Sequence, residues 1–404
     1  MATDDDPFLA VRDGARHRAL AELAASGPVH HLRLSLGMDA YVITGYAAAK
    51  TVLGDPRVVK GGASHPAYDE GTPAELRPAL YSHMLTADPP EHTRLRRLVA
   101  AAFTRRRVEE LAPRVERICA DLVGTLEETL DANGEADLIS AFAGPLPVTV
   151  ICELLGVPEE SRDDLRAWAG PLVAGRFAGE EAFLRASREI VAFLHGLLAD
   201  KRRAPADDLL SALIAVRDGE DRLTEDELTS MVYLLLIAGH ETTVSFIANG
   251  VNALFAHPGQ LALLRAEPDR LPAAIEELLR FDPPAQMAIP AFTAEPIEVA
   301  GHSIPAGANI VVSLLAANRD PARFADPDAL DLGREDAGHL AFGHGVHHCL
   351  GAPLARLEAR IALGALLRRF DDLEPAVPAS ALERMPSLII NRLAVLPVRR
   401  AASA

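Results

Sequence analysis

The stretch Phe342–Arg356, FGHGVHHCLGAPLAR, constrains this chain more than any other. Gly343, Gly345 and Gly351 surround Cys349. Glycine lets a backbone turn through φ > 0 or come close to a flat ligand. Beyond Gly351 the apolar residues Leu354, Leu357, Ile361, Leu366 and Leu367 recur near a 3.6-residue period, which predicts a helix. Cys349 therefore sits on a tight loop that runs into a helix start. The exposed N–H groups and partial positive charge of such a helix end favour a thiolate over a thiol.

Three readings of Cys349 follow. Free cysteine is among the most buried residue types, so it could be a core residue beside a turn. It could join His344, His347 and His348 around zinc. Structural zinc, however, takes ligands from two separated pairs, and no second Cys/His pair is evident. Or a thiolate on a glycine-rich loop, with His347 two residues before it, could be an axial ligand of haem iron. The pattern Phe-Gly-x-Gly-x-His-x-Cys-x-Gly favours the third. Phe342, Gly343, Gly345, His347, Cys349 and Gly351 match every fixed position, and Leu354-Ala355-Arg356 also fits. The stretch resembles the haem-binding loop of the cytochromes P450. That resemblance implies haem b (iron protoporphyrin IX) as cofactor and Cys349 as its metal ligand. Phe342, Gly343, His347, Gly351 and Ala355 would line the cofactor.

The formal net charge of −17 argues against nucleic acid as a partner. The three cysteines imply no disulfide framework, which fits a reducing cytoplasm. Cys119 and Cys152 lie in apolar helical patterns and are expected in the core. The N-terminus has no apolar stretch of signal-peptide type. The longest apolar run, Met231–Gly239, is too short to span a membrane, so no membrane association is expected. No linker, low-complexity block or repeat divides residues 1–404, which predicts a single domain. The fold class expected is mainly α with a minor β region. The β-containing parts would lie at about 26–60 and 284–316, and a helical haem-binding core at about 85–280 and 317–370.

Along the chain, residues 14–25 read as a helix, and Val29–Ser35 and Ala40–Thr44 as a hairpin around Gly37-Met38. Tyr46–Gly54 reads as helix. Residues 60–82, with Gly61, Gly62, Pro66, Gly71, Pro73 and Pro78, read as a loop, where the family places a variable substrate-contacting segment. The helix begun by Asp88-Pro89-Pro90 puts His92 and Arg96 on one face. They could be a solvated basic face, or, as the resemblance implies, bind haem propionates. Helices at 159–169 and 180–203, with a break at Gly170–Gly179, look like the family's mobile lid.

Thr224 and Glu227 have capping-box spacing, and the helix they open runs to about His257. Its middle reads Ala238-Gly239-His240-Glu241-Thr242-Thr243. An interior glycine costs roughly 1 kcal/mol against alanine, so Gly239 needs a reason, and close approach of a flat ligand supplies one. Thr242 can bond back to the carbonyl of Ala238. Glu-Thr in a helix is common, but joined to Gly239 and Cys349 it resembles the family's oxygen-activating segment. Ala238 and Gly239 would then meet the cofactor, and Glu241 and Thr242 would be catalytic. Glu277 and Arg280 share a face, and resemble the family's structural lock behind the haem loop. One position departs from the pattern. Many relatives carry arginine after Pro290 for a propionate, and here it is Ala291.

The resemblance implies a haem-thiolate monooxygenase that inserts one oxygen atom from O2 into a hydrophobic small molecule, by hydroxylation or epoxidation. A natural-product intermediate such as a macrolide, polyketide or terpenoid is expected. Met84, Leu85, Met287, Ile289, Leu388 and Ile389 are candidate substrate-pocket walls, or plain core residues. Electrons would come from a ferredoxin and its reductase, docked on arginines between Arg94 and Arg107 together with Arg356 and Arg360. A monomer is expected. Two rivals stay open: a haem-binding sensor or carrier, and a peroxide-driven oxygenase. Neither needs the Glu241-Thr242 pair.

Overall fold

The structure, a computed structural model, describes residues 6–62, 72–100, 103–217, 223–336 and 338–401. Packing density divides the chain into two units. One holds Met1–Val58, Ala112–Leu146 and Thr242–Ala404, and the other Val59–Leu111 and Pro147–Glu241. The boundaries carry no linker, and the last falls inside the continuous helix Glu225–Ala256. A division of this kind leaves no Pro- or Gly-rich signature in the sequence.

In the first unit, the strands Val29–Arg33 and Asp39–Ile43 pair antiparallel, with Val29 opposite Ile43. A 3-10 turn, Ser35–Gly37, joins them, and Gly37 supplies φ 78°. Asp39–Ile43 then pairs in parallel with Asn309–Val312, which pairs antiparallel with Ala291–Thr293. Successive side chains of a strand point to opposite faces, and the core follows that rule. Ile43, Ile310 and Val312 pack with Ala49 and Val52 of the helix Tyr46–Gly54. Val42 and Val311 face the other way, towards Phe8, Leu20 and Met287. A second sheet joins Glu135–Asp137, Pro397–Arg400 and Leu373–Pro375.

A buried polar network ties both chain ends to this unit. Arg384 reaches Asp13 at 2.7 Å, Asp282 at 2.8 Å and Asn391 at 2.6 Å. Buried charges are tolerable when paired in this way.

The second unit is mainly helical among the described residues. The capping box is formed: Thr224 N–H donates to Glu227 at 2.8 Å and Glu227 N–H to Thr224 Oγ1 at 3.1 Å. The helix Arg162–Ala174 continues past Gly170 and through Pro171, beyond the break expected from sequence. Leu165, Ala169 and Leu172 are buried along one side, so packing outweighs the local Gly-Pro signal. The break comes at Gly175 (φ 56°) and Gly179 (φ 91°). In the loop expected at 60–82, Pro66 and Gly71 lie outside the described residues, and Arg77–Tyr81 is a short helix.

Glu225–Ala256 has 32 residues and is, among the described residues, the helix long and apolar enough to cross a membrane. Most of it is buried in the protein, as befits a core helix.

Candidate active site

In the first unit, backbone geometry builds the Cys349 loop. Gly343 and Gly345 both have φ 73°, where an L side chain is strained. A Cβ on Gly345 would also collide with the carbonyl oxygen of Leu53. The Cys349 N–H donates to the Phe342 carbonyl at 2.9 Å, and the His348 N–H to Gly345 at 3.1 Å. The helix Ala352–Arg369 begins after Gly351, and the Ala355 N–H bonds back to Gly351 at 2.9 Å. Cys349 is exposed, whereas Cys119 and Cys152 are buried. Burial pushes those two thiols up to about 12 and about 11, which makes them inert core residues. Among the described residues no group of three His, Cys, Asp or Glu side chains could hold a metal ion, so the zinc reading has no support.

The loop is backed by buried charge. Arg280 Nε donates to Glu277 at 2.7 Å, and the two side chains are 0% and 1% exposed. The Arg280 guanidinium also donates to the carbonyls of Asn318, Pro327 and Ala329 at 3.0, 2.8 and 2.9 Å. Asn318 in turn accepts the Leu340 N–H at 2.7 Å, two residues before the loop. Sequence reasoning missed the third member, Arg334, 3.1 Å from Glu277. It also missed Glu276. Burial would raise the Glu276 carboxyl, but Arg356 and His339 donate to it and hold it down to about 2. Arg356 makes two bonds of 2.7 Å to Glu276 and lies over the Phe342 ring. Further along the helix that follows Cys349, Glu358 is buried, and burial pushes its carboxyl up to about 8.

In the second unit, the helix Glu91–Ala100 carries His92, buried, and Arg96, half-buried. Burial holds the His92 imidazole below its usual pKa, and Arg96 adds to the effect while Asp88 opposes it. It is a neutral hydrogen-bonding group at neutral pH. Arg94 points elsewhere and pairs with Glu91 and Glu227. Asp88, at the start of this helix, accepts the N–H groups of Lys60 at 2.9 Å and Gly61 at 2.8 Å. Lys60 is itself buried, and burial, countered by Asp88, lowers its pKa to about 8. Nothing in the sequence pattern marked Lys60.

On the central helix, Ala238 is exposed between half-buried neighbours. Gly239 also has a packing use. A Cβ there would lie 3.1 Å from Ile151, so its smallness serves helix packing. His240 and Glu241 are buried and Thr242 is half-buried. Among the candidate pocket walls, Met84 is buried, and Leu85, Ile289, Leu388 and Ile389 are half-buried. Met287 is 1% exposed inside the Phe8–Leu20 core. That is a packing position, and Met287 is withdrawn as a pocket wall.

Each group suits one part of a haem. The loop offers an exposed thiol where a helix end favours the thiolate. His92 and Arg96 offer donors on one face for carboxylates. Ala238 offers a small side chain at an exposed position of its helix.

Comparison with known proteins agrees. The Cytochrome P450 family model matches residues 181–391. Cytochrome P450 107B1 of Saccharopolyspora erythraea is 48% identical over 100% of both chains. The 6-deoxyerythronolide B hydroxylase of the same species is 44% identical over 95% of each. Among solved structures, the tirandamycin C-bound P450 monooxygenase TamI matches with TM-score 0.87 at 41% identity, covering 95% of this chain and 97% of that one. Identity at this level over nearly the whole length places the chain in the cytochrome P450 family, whose mainly helical members bind haem b and act as monooxygenases.

Proposed function

We propose that Cys349 would ligate the haem iron through its thiolate. The observation that carries this is the contrast among the three cysteines: the exposed one sits on the loop whose glycines adopt positive φ. When bound, haem supplies the oxygen chemistry: with O2, two electrons and two protons, one oxygen atom enters the substrate and the other leaves as water. His92, Arg96 and His347 hold the propionates. Phe342, Gly343, Gly351, Ala355, Ala238 and Gly239 form the walls around the ring. Glu241 and Thr242 move protons. Their presence sets this reading above a sensor or a peroxide-driven oxygenase, which have no use for an acid beside an alcohol.

The substrate is a bulky hydrophobic natural-product intermediate of the polyketide kind. The apolar residues Met84, Leu85, Ile289, Leu388 and Ile389 support this, as do the relatives. One is named for 6-deoxyerythronolide B, and another was solved with tirandamycin C. A screen of the purified protein against hydrophobic metabolites tests it. A high-spin shift of the haem spectrum with polyketides is expected, and no shift with any of them would remove the reading.

An acidic ferredoxin, itself reduced by its reductase, delivers the electrons to a monomer in the cytoplasm. The arginine surface is less positive than its sequence suggests. Arg105 pairs with Glu109 at 2.8 Å, Arg106 with Glu110 at 3.8 Å, and Arg356 is taken by Glu276. Arg107 and Arg360 are exposed and carry more of the docking.

A further inference from the structure

We infer that Glu276 is a positioning residue for Cys349. Its carboxylate ties the chain entering the loop to the chain leaving it, and balances the cation held beside the sulfur. The inference rests on the reading of Cys349 as the iron ligand given above.

Glu276 sits on the helix Leu271–Phe281, outside the loop. His339, just before the loop, meets it from one side. The His339 Nδ1 accepts the Ala341 N–H at 3.1 Å, so Nδ1 bears no proton and the ring is neutral. Its Nε2 then carries the proton and donates to Glu276 Oε2 at 3.2 Å. Arg356, on the helix Ala352–Arg369 that follows the loop, meets Glu276 from the other side. Its Nε and one terminal nitrogen each donate to a different carboxylate oxygen at 2.7 Å. A forked pair of this kind fixes orientation as well as distance. It holds the guanidinium 4.5 Å from the Phe342 ring centroid, and the His339 ring is 5.9 Å from the same ring. The Phe342 carbonyl in turn accepts the Cys349 N–H at 2.9 Å. Both ends of the loop therefore converge on Glu276 through side chains that enclose Phe342. Charge acts along the same line. Bonds to Glu276, opposed by burial, and then charge on Glu276 and on Cys349 raise Arg356 above its usual pKa. The guanidinium and the sulfur thus feel each other. A cation beside a thiolate draws electron density from it, and the Glu276 carboxylate offsets that pull. Hydrogen bonding and charge around the ligating sulfur are levers on the potential of a bound haem.

The test uses the full-length, haem-loaded protein. Glu276→Gln keeps the size of the side chain and removes its charge, and Arg356→Gln removes the opposite charge. A cation near the sulfur favours the reduced haem. The reduction potential should therefore rise in Glu276→Gln and fall in Arg356→Gln. Each shift should be about tenfold in the ferric–ferrous equilibrium, or about 59 mV for one electron. Glu276→Ala cuts both ties. Its red-shifted carbon monoxide band should decay about tenfold faster than that of wild type, the low end of what loss of an orienting partner costs. Glu276→Gln, which still accepts hydrogen bonds, should recover part of that lifetime. Arg399→Gln is the control, because it breaks an exposed pair with Glu374 outside this network. It should match wild type in both measurements. Potentials that stay put, or that move the same way in the two Gln variants, overturn the inference. A band as long-lived in Glu276→Ala as in wild type also overturns it, as do equal effects in Arg399→Gln. If Cys349→Ala loses the band while the Glu276 variants behave as wild type, this inference falls and the ligand reading stands. If Cys349→Ala keeps the band, the ligand reading itself falls.

Discussion

The Phe342–Gly351 loop and the Ala238–Thr243 turn of the central helix are both candidate catalytic segments, made in opposite ways. The loop is a backbone device: positive φ at Gly343 and Gly345, and main-chain bonds that close on Cys349. The helix turn has ordinary backbone, and its chemistry lies in which side chains are buried and beside what. Changes in the loop should therefore act through geometry and haem retention. Changes in the helix turn should leave haem bound and act on how oxygen is used.

The largest effect tests the loop's one chemical residue. Cys349→Ala should abolish the red-shifted carbon monoxide spectrum of the reduced protein, while Cys119→Ala and Cys152→Ala keep it. A retained spectrum in Cys349→Ala sinks the assignment. Next comes the backbone. Gly345→Ala forces an L residue into φ > 0 at a cost of roughly 1–2 kcal/mol, with the Leu53 collision added. Gly351 has φ −79° and room for a Cβ, 4.0 Å from Cys349 Sγ. Gly351→Ala should therefore be tolerated, and Gly345→Ala should emerge haem-poor. Equal haem content in the two variants would contradict a backbone-built loop.

On the helix side, Thr242→Ala should bind haem and substrate normally yet divert oxygen to peroxide. Product per reduced nicotinamide should drop by about tenfold or more, since a positioned proton donor contributes roughly 10²–10⁴-fold. An unchanged ratio would place the relay elsewhere.

Glu358 sharpens the comparison, because it titrates behind the loop. Its carboxyl is raised from 4.5 to about 8 by burial, so the folded state binds the proton more tightly. The resulting stability is fully present below 4.5 and is lost as pH rises through about 8. Glu358→Gln cannot titrate, so its thermal midpoint should gain on wild type across that window. A constant difference with pH would show that Glu358 is not titrating there. The smallest effect lies on the surface. Arg105 is 88% exposed and already paired with Glu109. Reversing Arg97 and Arg105 to Glu should slow ferredoxin reduction by about tenfold at low salt and flatten its salt dependence. Stopped-flow rates equal to wild type would put the partner elsewhere.

Much was legible because it is local. The spacing around Cys349, the Thr224–Glu227 capping box and the Glu277–Arg280 pair each span a few residues. Backbone restriction and i,i+3 proximity tie such spacings to geometry before any tertiary contact exists. What depended on distant partners was not legible. Arg334 joins Glu277 from 57 residues away and Arg356 joins Glu276 from 80. Ile151 gives Gly239 a packing role, and the Phe8 cluster decides that Met287 is core. His240 reads in the sequence as one histidine among fourteen, and only folding shows it buried against Glu241. A periodic pattern states which face of an element is apolar. Which groups meet on that face is settled by close packing between segments far apart in the chain.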